Sequence, residues 1–174
     1  MRIIKMALRI AEQGRTALLV ELPRPIGGHS IAKVRTRRAR VNNPVQRRVN
    51  ELDPRGERFA LAQNKLLKGV FNKTQTRALE AAANEPLRQV VTLMPRYAPL
   101  DAKQLTRRQY RHLRASVELL AKNEILHGDL PDNVMLNPKT GMPVIIDFDE
   151  SVAPSEQTNI DRNAFITHFK VKPA

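Results

Sequence analysis

Neither cysteine nor tryptophan occurs among the 174 residues, and aromatic residues make up only 4%. The missing thiols exclude disulfides, thiolate-bound zinc and a cysteine nucleophile in one step. With so few rings, a core has to be built from Leu, Val, Ile and Ala. The hydrophobic content of 41% is enough for one, which argues against global disorder. No apolar run approaches the roughly 20 residues that span a bilayer, so no membrane span is expected. Charge interrupts the apolar stretch of MRIIKMALRIAEQG, and no cleaved signal peptide is read there. Acids are missing altogether between Leu22 and Asn50.

That last absence is part of a basic excess. Lys plus Arg number 30 against 17 acids, for a net charge of +13. The acid-free stretch holds Arg24, Lys33, Arg35, Arg37, Arg38, Arg40, Arg47 and Arg48, and a second cluster lies in TRRQYRHLRA at Arg107, Arg108, Arg111 and Arg114. Such a surface attracts phosphates, nucleic acids, anionic membranes or acidic proteins, and charge alone does not choose among them. The length suits one domain, or two small lobes.

Periodicity lays out the elements. KMALRIA and RTALLVEL read as two strands around EQG, and HSIAKVRTR reads as a third strand after a PRPIGG turn. Pro44 opens a short helix through Val49 and Leu52, which Asp53-Pro54 interrupts. Residues 55–71 are expected to be helical, with Phe59, Leu66 and Val70 at helical spacing. LRQVVTLM at 87–94 reads as a buried strand ended by Pro95. Residues 103–124 read as an amphipathic helix with Tyr110, Leu113, Val117 and Leu120 on one face. A loop, a strand VML, a turn NPKTG and a strand PVIIDF follow, and a last short helix is expected near Ile160–Phe169.

The chemistry concentrates in ILHGDLPDNVMLNPKTGMPVIIDFDES. His127, Asp129 and Asn133 share one loop, and Asp147 follows one hairpin later. A hairpin between two loops brings both acids to the same end of adjacent strands. Phosphoryl transfer needs a carboxylate to orient an attacking hydroxyl, and oxygen ligands for magnesium, a hard cation. HGDLPDNVML resembles the catalytic loop, and IIDFDE the metal-binding segment, of the protein kinase and kinase-like superfamily. The resemblance implies Asp129 as catalytic base, Asn133 and Asp147 as magnesium ligands, His127 as a support for the loop, and Phe148 as a core anchor. HGDLPDNV is one residue shorter than the usual loop, lacking the position between Leu130 and Pro131, and Asp149 stands where a glycine is usual.

Extended to the first half, the resemblance sets Lys33 of SIAKV in the place of the catalytic strand lysine that contacts ATP. Gly14, 19 positions earlier, matches the end of a degraded glycine-rich loop. Met94 falls in the hinge-like TLMPRYAPL. Glu57 is taken as the helix glutamate paired with Lys33, with Glu51 and Gln63 as alternatives. Gly27-Gly28 read as a hairpin turn rather than a phosphate cradle. The implied fold is α+β, a minimal bilobal protein-kinase-like fold. It has an N-lobe of small antiparallel sheet plus helix over 1–94, and a truncated, mainly helical C-lobe over 95–174. With 25 residues after Asp149, no long activation segment or large C-terminal helices are expected.

The compact layout is similar to the minimal type III-secreted effector kinases that bacteria deliver into host cells. That likeness implies an ATP- and magnesium-dependent serine/threonine kinase, monomeric and acting on a host protein such as a chaperone or a ubiquitin-pathway protein. It would work in the host cytoplasm, or otherwise in the bacterial cytoplasm. The alternatives are an aminoglycoside- or choline-type phosphotransferase, where HGDL and IDFDE are also at home, and an inactive pseudokinase serving as a binding module. Nucleic acid is not an expected partner, because a cleft carrying Asp129, Asp147 and Asp149 repels phosphates unless a metal intervenes.

Overall fold

The computed structural model describes residues 9–10, 17–37, 39 and 43–173. Within them the chain is α+β, with one five-stranded antiparallel sheet, one two-stranded hairpin and four α-helices. It divides into two compact units. The first comprises residues up to 39 and 62–96; the second comprises 40–61 and 97–174. The sequence reading drew one boundary at 94, and residues 40–61 depart from it. Val45, Val49 and Phe59 are buried in the same apolar cluster as Leu113, Val117 and Leu120, and this burial takes the segment out of the first unit.

The first unit is a sheet of strands β1 (Arg9–Ile10), β2 (Ala17–Ile26), β3 (His29–Thr36), β4 (Gln63–Leu66) and β5 (Leu87–Met94), in spatial order β1-β2-β3-β5-β4. Gly27 and Gly28 turn β2 into β3 with φ of 57° and 82°, the left-handed pair that a two-residue hairpin requires. Alternation sorts the two faces. Leu18, Val20, Ala32, Val34, Val91 and Leu93 face one side and form an apolar cluster with Leu67, Phe71 and Leu79. Leu79 belongs to KTQTRALEAAA, the helix of Lys73–Ala83. The opposite side of β3 carries Ile31, Lys33 and Arg35.

That helix was not expected from the sequence. Its start is marked all the same, because Asn72 and Gln75 cap each other reciprocally, and Asn84 ends it in the left-handed region at φ 52°. The expected helix over 55–71 does not form. That stretch is a turn, then β4, then a short 3-10 turn at Leu67–Gly69. The buried Asp53 carboxylate captures the amides of Glu57, Arg58 and Phe59 at 3.2, 2.7 and 2.8 Å. Gly56 sits at φ 64°, where a Cβ would lie 2.8 Å from the Leu61 side chain. Phe59 then bridges Ile145, with backbone bonds of 2.9 Å on either side. Tertiary bonding to these backbone groups overrides a helical spacing of apolar residues.

The second unit has α1 (Asn43–Leu52), α3 (Arg107–Lys122) and α4 (Asn159–His168), with α2 being the Lys73–Ala83 helix of the first unit. Its hairpin is β6 (Val134–Asn137) and β7 (Met142–Ile145). Thr106 and Gln109 form a capping box on α3, and its last turn is closed by the Arg48 guanidinium on the Asn123 carbonyl at 2.7 Å. Leu113, Val117 and Leu120 are fully buried, as the amphipathic reading requires. Among the described residues, no helix is long and apolar enough to cross a membrane.

The Asp53 turn also sets a pH response. His112 on α3 bonds the Glu57 carbonyl through Nε2 at 3.0 Å. Burial, and then the Arg58 guanidinium, hold its pKa below the ordinary 6.5 despite that bond. The folded state therefore binds fewer protons than the unfolded state just below pH 6.5. Its contribution is complete above that pH and is lost as pH falls through it. Urea unfolding between about pH 5 and 7.5 should show wild-type stability rising with pH more steeply than that of His112→Gln. Parallel pH profiles for the two proteins would refute the assignment.

Candidate active site

A buried carboxylate builds the loop after α3. Asp161, in the first turn of α4 and 2% exposed, accepts the amides of His127 at 2.7 Å and Gly128 at 3.0 Å. His127 is itself 2% exposed. Its Nε2 donates to the Ile146 carbonyl at 2.8 Å, and its Nδ1 accepts the Asp129 amide at 3.3 Å. This pair of bonds selects the tautomer with the proton on Nε2. The ring also packs edge-on against Phe148, with centroids 4.9 Å apart, and Phe148 packs edge-on against Phe59 at 5.9 Å. The buried histidine thus ties the Asp129 loop to the strand end that carries Asp147.

Asp129 is left exposed at the surface of this support. A 3-10 turn over Pro131–Asn133 follows Asp129, closing with the Asn133 amide on the Leu130 carbonyl at 3.2 Å. The Asn133 side chain reaches back from that turn. Its Nδ2 donates to the Asp129 carbonyl at 2.9 Å and to the Asp129 carboxylate at 3.0 Å. Both Nδ2 protons are then engaged, and the remaining polar atom, Oδ1, is an oxygen donor suited to a hard cation.

The hairpin brings in the second acid. Val134 pairs with Ile145, and the ladder continues through the Ile146 amide on the Asn133 carbonyl at 2.9 Å. Asp147, the next residue, therefore emerges at the same end of the hairpin as Asn133 and Asp129. It adopts φ 62°, a left-handed conformation uncommon outside glycine. Backbone bridges brace both edges of the hairpin: Ala98 exchanges two 2.8 Å bonds with Leu136, and Phe59 lies beside Ile145.

Asn133, Asp147 and Asp149 carry oxygen donors of the kind that a hard cation such as magnesium takes. No group of three or more His, Cys, Asp or Glu poised for a metal occurs among the described residues.

The remaining expected site residues belong to other elements. Lys33 is on β3 in the first unit, 8% exposed, level with Leu19 on one neighbouring strand and Thr92 on the other. Its face of the sheet is polar: Arg35 donates to Thr92 Oγ1 at 2.6 Å, which donates to Asn64 at 2.8 Å. Met94 closes β5 opposite Ile31. Gly14 falls outside the described residues. Glu57, read as a helical glutamate, is instead in the Asp53 turn, in the second unit, with its side chain 61% exposed and 4.0 Å from Arg55. The alternatives differ again, with Glu51 on α1 and Gln63 on β4. Asp161 was not picked out from the sequence. No protein-family profile and no curated protein sequence matches the chain.

Replacing Asp161 with Asn would set an NH2 group against one of the two amides it accepts. Asp161→Asn should cost about 1–3 kcal/mol in denaturant unfolding and speed hydrogen exchange at His127 and Gly128. Unchanged protection of those two amides would show that Asp161 does not hold the loop.

Proposed function

We propose that the chain is an ATP- and magnesium-dependent phosphotransferase of the protein-kinase-like type, acting on a serine or threonine hydroxyl of a protein. One observation carries the reading: Asp129, Asn133 and Asp147 emerge together at the end of one braced hairpin, on a loop held by buried His127 and Asp161.

In the transfer, the acceptor oxygen bonds to the γ-phosphorus as the bond from that phosphorus to the β,γ-bridging oxygen breaks and ADP departs. The hydroxyl proton passes to the Asp129 carboxylate. Asn133 orients that carboxylate through the bond from Nδ2, so the base is positioned before the acceptor arrives. Asn133 Oδ1 and Asp147 would hold magnesium, which when bound neutralises charge on the phosphates. Lys33 is assigned to the nucleotide phosphates. The likeness to effector kinases extends the proposal to a host protein as acceptor.

Asp129 is exposed, so Asp129→Ala should fold as wild type does. It should lose about 10²–10⁴-fold in transfer of labelled phosphate from ATP to proteins of a lysate. Asp147→Asn should abolish the magnesium dependence of ATP affinity in calorimetry. Wild-type turnover in the first variant, or wild-type magnesium dependence in the second, would sink the mechanism. Transfer to an aminoglycoside or choline far faster than to any protein would move the acceptor to a small molecule, and magnesium-dependent ATP binding without any transfer would mark a pseudokinase.

A further inference from the structure

A cleft of the second unit lies between α3 and α4, and Asp129 is not among its lining residues. It has a volume of about 260 Å³ and is lined by Tyr110, Arg114, Val117, Glu118, Arg162, Phe165 and Ile166. That is below the ~300–1,000 Å³ usual for pockets that hold whole small molecules. It suits one bulky side chain. The floor is apolar, with Tyr110 tilted against Phe165 at 4.8 Å, and Ile166 remains 61% exposed beside it.

The exposed surface of α3, which contributes Arg114 to the cleft, is mostly basic. Arg107, Arg111 and Arg114 recur at helical spacing along α3, and all three are exposed, as is Arg108. The only acid on α3, Glu118, is already engaged: Arg162 donates to it from Nε and Nη2, the latter at 2.8 Å. That bonding holds the Glu118 carboxyl below its usual range, with Arg114 contributing less. An incoming anion therefore meets several guanidinium groups and one carboxylate already neutralised.

We propose that the α3–α4 cleft is a docking groove for an acidic peptide segment of a partner protein, which seats one large apolar side chain between Val117, Phe165 and Ile166 and pairs its acids with the arginines of α3. Two features select this occupant together. The arginine row requires negative charge, and Ile166, 61% exposed at the cleft between α3 and α4, offers a greasy contact that a nucleic acid backbone does not use. Docking does not depend on phosphotransfer. The two are nonetheless linked through α4, because Asp161 holds the Asp129 loop while its neighbour Arg162 and Phe165, one turn further on, form the groove.

The probe is a fluorescein-labelled dodecapeptide of glutamates with a central leucine, titrated with the whole chain and followed by anisotropy. Saturable binding is expected, weakening by about tenfold or more with Arg114→Glu and falling further as salt rises. Ile166→Ser should weaken it while leaving the salt dependence intact, and replacing the peptide leucine with serine should do the same. Arg24→Glu, on the exposed end of β2, should bind as wild type does. Residues 114 and 166 are both exposed, and unchanged urea midpoints would show the variants folded. Equal affinity for the leucine and serine peptides, or for Arg114→Glu and wild type, would overturn the proposal. So would displacement of the peptide by an equally charged oligouridylate that binds more tightly. Loss of transfer in Asp129→Ala with peptide affinity retained separates this groove from the catalytic reading.

Discussion

Two amide groups, those of His127 and Gly128, converge on one buried carboxylate, and the candidate site depends on that convergence. A loop leaving the end of a helix presents several backbone donors in succession, and burying them unpaired costs more than any single contact gains. Asp161 satisfies two at once from a helix that follows much later in the chain. With the backbone fixed there, the His127 ring has one direction in which to point, and its Nε2 proton reaches the Ile146 carbonyl. A single polar network thereby sets both strand ends, and the exposed Asp129 inherits its position from groups that solvent does not reach.

The hairpin of β6 and β7 extends that anchoring to Asp147 through register. Antiparallel pairing of Val134 with Ile145 means that one residue of slippage would turn every side chain to the other face. Bridges from Ala98 and Phe59 on the two edges oppose such a slip. The 3-10 turn over Pro131–Asn133 delivers the Asn133 side chain to Asp129. Polar atoms that would otherwise compete for solvent are committed before any ligand arrives, which is what preorganisation means in structural terms.

Much of this was legible in the residues themselves. Strand β5 spans Leu87–Met94, the stretch that its apolar run and Pro95 delimit, and α3 carries the expected buried stripe. The Gly27-Gly28 turn and the β6–β7 hairpin follow from turn chemistry. What was hidden had non-local causes. The apolar spacing at Phe59, Leu66 and Val70 imitates a helix, but the three belong to different surroundings: Phe59 is in the core of the second unit, Leu66 is 54% exposed on a strand, and Val70 follows a 3-10 turn. Asp161 had no local signature at all, since its partners lie 33 and 34 residues upstream. Helix α2 was overlooked because its alanines give little amphipathic contrast, although the Asn72–Gln75 pair marked its start.

The interleaving of the two units has a consequence for how the chain can be divided. The backbone passes from the first unit to the second near residue 39, returns near 62, and leaves again near 96. Neither unit is a continuous stretch, so no single cut yields either one whole. A fragment ending at 94 would carry Val45, Val49 and Phe59 without the helix they pack on, and its complement would have a core missing one wall. Gene fusion or shuffling that treats the halves as exchangeable modules would inherit that mismatch. In an emerging nascent chain, those three side chains must likewise wait, apolar and unpartnered, until residues 105–120 have been made.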